Sequence, residues 1–303
     1  RKPPGTVPKY STATAQLKGN SMANIVITGG TAGIGRAAAL LLANKGHTVV
    51  ACGRDAGALA ELSASGDRLQ GVTMDVTDPV SVSTAAAAAL ETFGGNPPDV
   101  LVNNAGFALV GPLEAIDDAD WERQYQTNVL GLVRVTRAFL PAMRERRKGR
   151  IINVSSVAGR VTLPFFAPYN STKHAVESIS DSLRTELYPH GIDVVTIEPG
   201  AVKTRFGSLE QAQIERWVDD APAYADQLRT LKAFHHDLHG KGADPTAVAG
   251  CIVKACEDPK PYPRQITPLF PGSAFIALKA WLPTPVTDWI VRRLTGLDKA
   301  GFR

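Results

Sequence analysis

The chain has 303 residues, of which 44% are hydrophobic and 20% are charged, as is ordinary for a soluble globular protein. Its net charge of +4 comes from residues 1–21, which hold four basic residues and no acid, whereas the rest of the chain has 29 residues of each sign; this balance excludes a basic nucleic-acid-binding surface. Three cysteines without a CxxC pair, and no uncharged apolar stretch of about 18 residues, exclude a disulfide framework and a membrane span and predict a reducing, cytoplasmic location.

The first segment, residues 1–21, is rich in Pro, Thr, Ser and Lys and shows no apolar periodicity. It also lacks the apolar run of a secretory signal. We expect a disordered lead or a cloning remnant, with Met22 as the native start. A native flexible tail is the alternative, and it makes little difference to function.

From Ala23 onward, short β-branched apolar runs alternate with longer helical patterns. This alternation predicts an α/β fold with a doubly wound parallel sheet and ligands at the carboxyl ends of the strands. The predicted strands are Ala23–Thr28, Thr48–Cys52, Gln70–Met74, Val100–Asn103, Arg150–Ser155 and Asp193–Glu198. The predicted helices lie near Gly33–Lys45, Asp55–Ala64, Pro79–Phe93, Ala119–Arg146 and Pro168–His190.

No repeat or linker divides residues 22–258, so we predict a single domain there, and the pattern loosens after Glu198. Residues 204–241 are typical of a helical, partly polar lid insertion. Residues 259–303 are predicted to form a C-terminal extension, with apolar residues concentrated in Ala274–Leu297. We favour an extension that covers a lipophilic pocket or docks on another subunit over one that rests on a membrane surface.

Three glycines, Gly29, Gly33 and Gly35, occupy the turn between the first predicted strand and the first predicted helix. Glycines permit a tight turn, and the start of the helix offers free N–H groups and its positive dipole end to an anion. A plain strand–helix turn is the alternative. The position in the first strand–helix turn of an alternating chain favours a bound dinucleotide, whose pyrophosphate suits both features.

The end of the second predicted strand bears on the choice of dinucleotide. An acid there would accept hydrogen bonds from a ribose 2′-hydroxyl and favour NAD(H), but the sequence has Gly53 and Arg54. Arginine can pair with a 2′-phosphate, so we predict NADP(H) with NAD(H) as the alternative, and Arg36 as a helper. Arg54 could also merely cap a surface loop. Asp75, after the third strand, could accept from the adenine amino group or cap the following turn.

Tyr169 and Lys173 stand four residues apart in a predicted helix, which places them on one face with a rise of about 6 Å. Such a pair arises easily by chance, so it needs support from other residues. Ser155 and Ser156 end the fifth predicted strand, at the edge where a ligand would lie, and Asn128 falls in the long helix after the fourth strand. Strand-end serines often cap turns, but the joint occurrence in this order is hard to explain by chance.

Together these residues resemble the short-chain dehydrogenase/reductase family over most of Ala23–Thr204, in the branch with the TGxxxGxG glycine spacing, and are similar to steroid- and retinol-dehydrogenase-like members. The fold implied is a Rossmann fold. The matching elements are Thr28-Gly29-x-x-x-Gly33-x-Gly35, Asn103-Asn104-Ala105-Gly106, Asn128, Ser156, Tyr169-x-x-x-Lys173 and Pro199-Gly200-x-Val202-x-Thr204.

The resemblance implies four catalytic residues. Tyr169 would exchange the proton, Lys173 would lower its pKa and hold the nicotinamide ribose, and Ser156 would orient the substrate oxygen, with Ser155 as runner-up. Asn128 would retain a water that links Lys173 to solvent. The implied cofactor contacts are Thr28, Gly29, Thr31, Gly33, Ile34, Gly35, Arg54, Asp75, Val76, Asn103, Ala105, Gly106, Tyr169, Lys173, Pro199, Gly200, Val202 and Thr204.

The implied activity is the NADP(H)-dependent interconversion of a lipophilic ketone or aldehyde and its alcohol. Apolar residues between Ser156 and Tyr169 would border the substrate cleft, namely Leu163, Pro164, Phe165 and Phe166, although they could equally be core. A catalytically silent dinucleotide-binding sensor or scaffold is the rival interpretation. Family members often pair through two long helices, so we expect a homodimer or homotetramer.

His235 and His239 lie at i and i+4 of the predicted lid, which would suit a metal ion. No acidic third ligand is evident, and the implied chemistry requires no metal. We therefore predict a solvated lid helix and no metal site.

Overall fold

Seven parallel strands form the centre of the computed structural model, which describes residues 22–269 and 272–298. Their order is β3-β2-β1-β4-β5-β6-β7, with every neighbouring pair parallel. The predicted doubly wound α/β sheet is thereby confirmed. The strands are β1 (Asn24–Thr28), β2 (Thr48–Gly53), β3 (Leu69–Thr73), β4 (Val100–Asn103), β5 (Gly149–Val154), β6 (Ile192–Pro199) and β7 (Arg264–Thr267).

The helices follow the strands in the predicted alternation and continue beyond it. Within the described residues they are α1 (Gly33–Asn44), α2 (Ala56–Ala64), α3 (Pro79–Thr92), α4 (Asp118–Tyr125), α5 (Leu132–Arg146), α6 (Ala167–Leu187), α7 (Arg205–Asp220), α8 (Ala225–Gly240), α9 (Pro245–Glu257), α10 (Gly272–Leu278) and α11 (Thr284–Thr295). Local sequence explains the start of α3. Asp78 caps α3 by accepting from Val80 N at 2.9 Å and Ser81 N at 3.2 Å, and Pro79 fits the first helical position.

The core lies on both faces of the sheet, because the central strands are buried on each side. One face packs against α1 and α9, with Leu42 and Ile252 fully buried. The other face packs against α3 and α5, where Phe139 and Met143 are at most 1% exposed. Burial of each such side chain stabilises the fold by about 1.5–3 kcal/mol.

Two predicted elements differ from those observed. The helix predicted over 119–146 is interrupted by a π-helical segment, Gln126–Gly131, which separates α4 from α5. The sheet also extends past residue 258, the predicted end of the domain, because β7 pairs with β6 through Glu198 and Ile266. This edge strand is only four residues long and has a single aliphatic side chain, so its sequence lacks the apolar run of the central strands.

The lid predicted over 204–241 consists of two helices, α7 and α8, that pack on each other. Side chains of α7 fasten it to the loop after β4. Gln213 accepts from Val110 N at 2.9 Å and donates to Ala108 O at 2.9 Å, while the Trp217 indole donates to Val110 O at 2.7 Å. The indole fits against Gly111, where a Cβ would collide with it.

The predicted C-terminal extension contains β7, α10 and α11. Helix α11 contacts α8, and Lys279 Nζ donates to Arg160 O at 2.8 Å in the loop that precedes α6. These contacts place the extension beside the lid and the expected substrate side. No helix in the described ranges is long and apolar enough to cross a membrane. The predicted lead, residues 1–21, lies outside the described residues.

Candidate active site

The glycine turn opens a cleft of about 1030 Å³ along the carboxyl edge of the sheet. Gly29 and Gly33 have φ values of +66° and +54°, which glycine adopts without strain. Gly35 is buried, and a Cβ at this position would collide with the Gly29 carbonyl. Helix α1 has no side-chain cap at its start, so its first N–H groups remain available to an anion in the cleft.

Asn104, which the sequence analysis did not select, holds this turn in place. Its side-chain Nδ2 donates to Thr28 O at 3.0 Å and to Gly29 O at 3.2 Å. The Thr28 hydroxyl accepts from Asn104 N at 3.0 Å and Ala105 N at 3.1 Å, so β1 and β4 are joined below the cleft. Asn104 lines the cleft.

Asn103 was predicted as a cofactor contact, and the structure places its side chain elsewhere. Because successive residues of a strand point to opposite faces, the Asn103 side chain turns into the sheet–helix interface. Its Nδ2 donates to Asn153 Oδ1 at 2.9 Å and to Thr136 Oγ1 at 3.1 Å, both buried. Its amide therefore supports β4, β5 and α5 and does not line the cleft.

Arg54 and Asp75 lie together at the far end of the cleft. Arg54 is exposed and Asp75 is half-buried. Burial opposes ionisation of Asp75, but the hydrogen bonds from Thr77 N and Oγ1 and the charge of Arg54 hold its pKa below the usual value. Asp75 thus caps the turn that follows β3, which was the alternative to a contact with adenine. It also lines the cleft. Next to Arg54, the backbone of Gly53 packs closely against the Thr31 side chain, which leaves no room for a Cβ at residue 53.

Tyr169 and Lys173 face the cleft from α6, and both are buried. Lys173 Nζ donates to Val154 O at 2.9 Å, at the end of β5, and lies 5.7 Å from the centre of the Tyr169 ring. Burial lowers the pKa of Lys173 to about 8, and the Glu177 carboxylate opposes part of this effect. The ammonium is therefore held close to the phenol in a poorly solvated position.

The pKa of Tyr169 is raised in the protein itself. The resemblance implied that Lys173 and a positively charged oxidised nicotinamide would together lower it. Burial has the largest effect, the charge of Glu210 adds to it, and the Ser156 hydroxyl acts in the opposite direction. The physical reason is that a phenolate loses its hydration here while a carboxylate lies nearby. Tyr169 is consequently held in its protonated form.

The two serines at the end of β5 face different partners. Ser156 lies in the cleft wall, where its hydroxyl accepts from Ala158 N at 3.1 Å and faces the phenol of Tyr169. Ser155 also borders the cleft, but its hydroxyl faces Glu177. The structure therefore favours Ser156 over Ser155 as the hydroxyl that meets a substrate oxygen beside Tyr169.

Asn128 lies in the π-helical segment behind the cleft wall. Its Oδ1 accepts from Phe107 N at 3.1 Å, and its Nδ2 donates to Phe107 O at 2.9 Å and Thr172 Oγ1 at 3.1 Å. The side-chain amide is thus already engaged, so the predicted role of retaining a water does not follow from it. These bonds fix Phe107, in the loop after β4, to Thr172 of α6, which directly precedes Lys173.

The substrate side of the cleft is apolar. Of the four predicted border residues, Leu163 and Phe166 line it, whereas Phe165 packs its ring on Tyr224. Helix α7 adds Phe206, whose ring lies 5.7 Å from that of Tyr169, and Leu209.

A buried polar cluster interrupts this apolar wall. Glu210 Oε2 of α7 lies 3.0 Å from His235 Nε2 and 3.3 Å from His239 Nε2, both on α8. Glu210 and His235 are 5% and 3% exposed, so the prediction of a solvated face is wrong at His235. The acid missing from the sequence pattern comes from another helix, 25 residues before His235, and only the packing of α7 on α8 brings it there. Burial opposes ionisation of Glu210, but the hydrogen bonds and charges of the two histidines hold its pKa below the usual value.

Comparison with known proteins identifies the family. Residues 23–215 match the family model described as short chain dehydrogenase. The chain belongs to the short chain dehydrogenase family. It is therefore an oxidoreductase, and the resemblance given by its sequence motifs is confirmed.

This short chain dehydrogenase is similar in sequence to several named oxidoreductases. It is 40% identical over 191 residues to dehydrogenase/reductase SDR family member 7B of Bos taurus, a match spanning 59% of this chain and only 58% of that protein. It is 32% identical over 271 residues to the 3-ketodihydrosphingosine reductase of Bacteroides thetaiotaomicron, covering 88% of this chain and 96% of that protein. It is 35% identical over 273 residues to retinol dehydrogenase 8 of Bos taurus, covering 86% of each.

Solved structures of the family superpose along the same sheet. A short-chain dehydrogenase from Streptomyces avermitilis gives a TM-score of 0.73 at 30% identity, covering 92% of this chain and 96% of that one. A variant of actinorhodin polyketide ketoreductase with NADPH gives 0.70 at 29%, covering 81% and 95%. The 3-ketoacyl-(acyl-carrier-protein) reductase from Brucella melitensis, complexed with NADH, gives 0.67 at 26%, covering 80% and 95%.

Most residues predicted for the site of this short chain dehydrogenase converge on the one cleft. Those of the predicted cofactor contacts that line it are Thr28, Gly29, Thr31, Gly33, Ile34, Arg54, Asp75, Val76, Ala105, Gly106, Tyr169, Lys173, Pro199, Gly200, Val202 and Thr204. Gly35, Asn103 and Asn128 lie outside the lining, as does the helper residue Arg36. Among the lining residues that sequence reasoning missed are Asn104, Phe206, Leu209 and Glu210.

Proposed function

We propose that the chain interconverts a lipophilic ketone or aldehyde and the corresponding alcohol, with NADP(H) as the preferred cofactor. The observation that carries the proposal is the convergence of Tyr169, Lys173 and Ser156 on the cleft that begins at the glycine turn. A silent dinucleotide-binding sensor would need the turn but not this set of side chains.

The residues present suit a dinucleotide. The uncapped start of α1 offers N–H groups for a pyrophosphate, and the glycines leave room for close approach of its backbone. Lys173 would hold the nicotinamide ribose, while Pro199, Gly200, Val202 and Thr204, which line the same cleft, would border the nicotinamide. When bound, the cofactor supplies or accepts the hydride.

The protein supplies the proton and the orientation. Ser156 would donate a hydrogen bond to the carbonyl oxygen of the substrate, and Tyr169 would transfer its phenolic proton to that oxygen as the carbonyl carbon is reduced. Because burial keeps Tyr169 protonated, its phenol has a proton to donate to a carbonyl oxygen at neutral pH. Lys173 carries positive charge beside the phenol and stabilises the phenolate that remains.

Two observations support the choice of substrate and cofactor. The cleft wall near Tyr169 is formed largely by Leu163, Phe166, Phe206 and Leu209, and relatives are named for 3-ketodihydrosphingosine and retinol, so a bulky lipophilic substrate fits both. Arg54 lines the cleft just after β2 and could pair with a 2′-phosphate, which supports NADP(H). Family structures hold NADPH or NADH, so the preference has to be measured on this chain.

A cofactor-coupled screen of lipophilic ketones, aldehydes and alcohols tests the proposal. We expect turnover with NADPH, and a 10²- to 10⁴-fold lower kcat in Tyr169→Phe, because the proton donor is lost while the apolar ring stays. NADPH binding, followed by protein fluorescence, should be unchanged. The matched control is Tyr262→Phe, since Tyr262 is 74% exposed and outside the cleft lining.

Two outcomes count against the proposal. If Tyr169→Phe turned over an identified substrate as fast as the parent chain, the chemical assignment would be wrong. If the parent chain bound NADPH but reduced or oxidised nothing in the panel, the sensor interpretation would be favoured.

A further inference from the structure

The Glu–His–His cluster of Glu210, His235 and His239 has a geometry that hydrogen bonding alone does not require. Two imidazole nitrogens approach a single carboxylate oxygen at 3.0 and 3.3 Å. One donor atom from each of the three residues lies within 4.8 Å of the other two. We infer that this cluster is a binding site for a divalent transition-metal ion of the zinc class, in the wall of the substrate cleft.

The spacing suits such an ion. Zinc bonds to His nitrogen and carboxylate oxygen measure about 2.0–2.2 Å, and the edge of a tetrahedron with such bonds is roughly 3.3 Å. The two measured nitrogen–oxygen separations are close to that edge. Two histidines and one carboxylate also form a frequent zinc ligand set.

The protein leaves the second ring nitrogen of each histidine without a partner. His235 Nδ1 and His239 Nδ1 are buried and have no hydrogen-bond partner within the described part of the chain. The rings lie 4.2 Å apart at 31°, so neither has turned away to seek another partner. Glu210 is only 5% exposed, and a divalent cation bound there would offset its buried negative charge while both imidazoles stayed neutral.

The cluster is held in place before any ligand arrives. His235 and His239 share one face of α8 at i and i+4, opposite Glu210 on α7. His239 can approach α7 because Gly207 has no side chain, and a Cβ at that position would collide with the imidazole. Phe166 stacks on His235 from the body of the protein, with the ring centres 6.2 Å apart.

Three protein ligands leave a fourth coordination position. All three residues line the cleft, and the Glu210 charge is felt by Tyr169. The fourth position therefore opens toward the substrate side, where a water or an oxygen of a bound molecule could complete the coordination. This inference concerns binding alone, and it does not depend on the reaction proposed above.

Titration of the untagged full-length chain with Co²⁺ tests the site. A four-coordinate Co²⁺ gives visible absorption bands, and we expect them to appear with one equivalent and to disappear on addition of Zn²⁺. Glu210→Gln and His239→Asn should weaken Co²⁺ binding at least about 100-fold, since each removes a ligand. His236→Asn is the matched control, because His236 lies on the same helix but is exposed, and its binding should equal that of the parent chain.

The parent chain alone can overturn the inference. If it gave no visible bands with stoichiometric Co²⁺, and if Zn²⁺ did not raise its Tm, the cluster would be a hydrogen-bonded joint between α7 and α8 and no metal site. Equal Co²⁺ binding by the parent chain, Glu210→Gln and His239→Asn would place the ion elsewhere and refute the assignment as well. Circular dichroism of each variant separates loss of a ligand from loss of the fold, and His239→Gln serves as a second substitution if His239→Asn does not fold.

Discussion

Arg54 is the single residue on which the cofactor preference depends. It is exposed at the end of the cleft, and within the described residues its guanidinium makes no ion pair shorter than 4 Å. Asp75 contributes a longer-range attraction. An arginine held this way can accept a phosphate without first breaking a salt bridge.

We expect Arg54→Ala to weaken NADPH binding by about 10- to 100-fold, because a charge-assisted hydrogen bond contributes about 1.5–3 kcal/mol. NADH affinity should stay the same, since NADH has no 2′-phosphate. Direct titration with both cofactors checks this. Arg68→Ala is the control, because Arg68 is exposed and outside the cleft lining. Equal affinity of the parent chain for NADPH and NADH would show that the predicted preference is wrong.

Single residues were predictable where the contact is local in sequence. Tyr169 and Lys173 lie on one helix face, and Ser156 follows directly on a strand, so spacing alone places them at one edge of the sheet. Asn104 and Glu210 were missed for different reasons. To select Asn104 we would have had to know which of two adjacent asparagines faces the cleft. To select Glu210 we would have had to know how the two lid helices pack on each other.

At the scale of the elements, the turn between β1 and α1 is the most tightly constrained. A Cβ on Gly35 would meet both the Gly29 carbonyl and the Asn104 side chain. By contrast, Gly250 lies in α9, is exposed, and has open space around its missing Cβ.

Substituting alanine at these two glycines should therefore change the free energy of unfolding in opposite directions. Gly35→Ala should destabilise the fold by about 1–3 kcal/mol, since the new methyl overpacks the turn. Gly250→Ala should stabilise it by about 0.5–1 kcal/mol, since alanine favours a helix interior. Urea denaturation of both variants measures this. A stable Gly35→Ala that also binds NADPH normally would contradict the close packing described for the turn.

The first six strands were predicted to within a few residues, because a sheet covered on both faces needs continuous apolar runs. The π-helical segment was not predictable. It is only six residues long, and over so short a stretch its spacing of apolar residues hardly differs from that of an α-helix. Strand β7 was missed because an edge strand needs few apolar residues. The predicted pairing of two long helices in a homodimer or homotetramer stays a prediction.

At the scale of the whole molecule, one ionic network joins β6, β7, α6 and the loop that precedes α6. Arg264 of β7 lies 3.1 Å from Glu177 of α6 and 3.2 Å from Glu198 of β6, and Arg160 lies 3.2 Å from Glu198. Burial and the adjacent Glu198 carboxylate raise the pKa of Glu177 to about 7, while Arg264 and Arg160 act in the opposite direction.

This network makes stability depend on pH. Because Glu177 binds its proton more tightly in the folded chain, its contribution is fully present below its ordinary pKa of 4.5 and is lost as the pH rises through about 7. We expect the Tm to fall by several degrees between about pH 5 and pH 7.5 relative to Glu177→Gln, whose amide does not titrate. The groups that face Glu177 and must be kept unchanged in both chains are Ser155, Arg160, Lys173, Glu198 and Arg264. Parallel pH profiles for the two chains would refute the assignment.

The attachment of α7 to the loop after β4 has a bearing on substrate selection. Gln213 and Trp217 fix this helix through three hydrogen bonds, with the indole seated against Gly111. Swinging the helix away would break all three bonds and expose a large aromatic ring to water. We therefore expect substrate selection to depend on the shape of a wall that α7 holds in a fixed position. Substitutions at Phe206 and Leu209, which line the cleft, should alter that selection more than substitutions at Gln213 or Trp217.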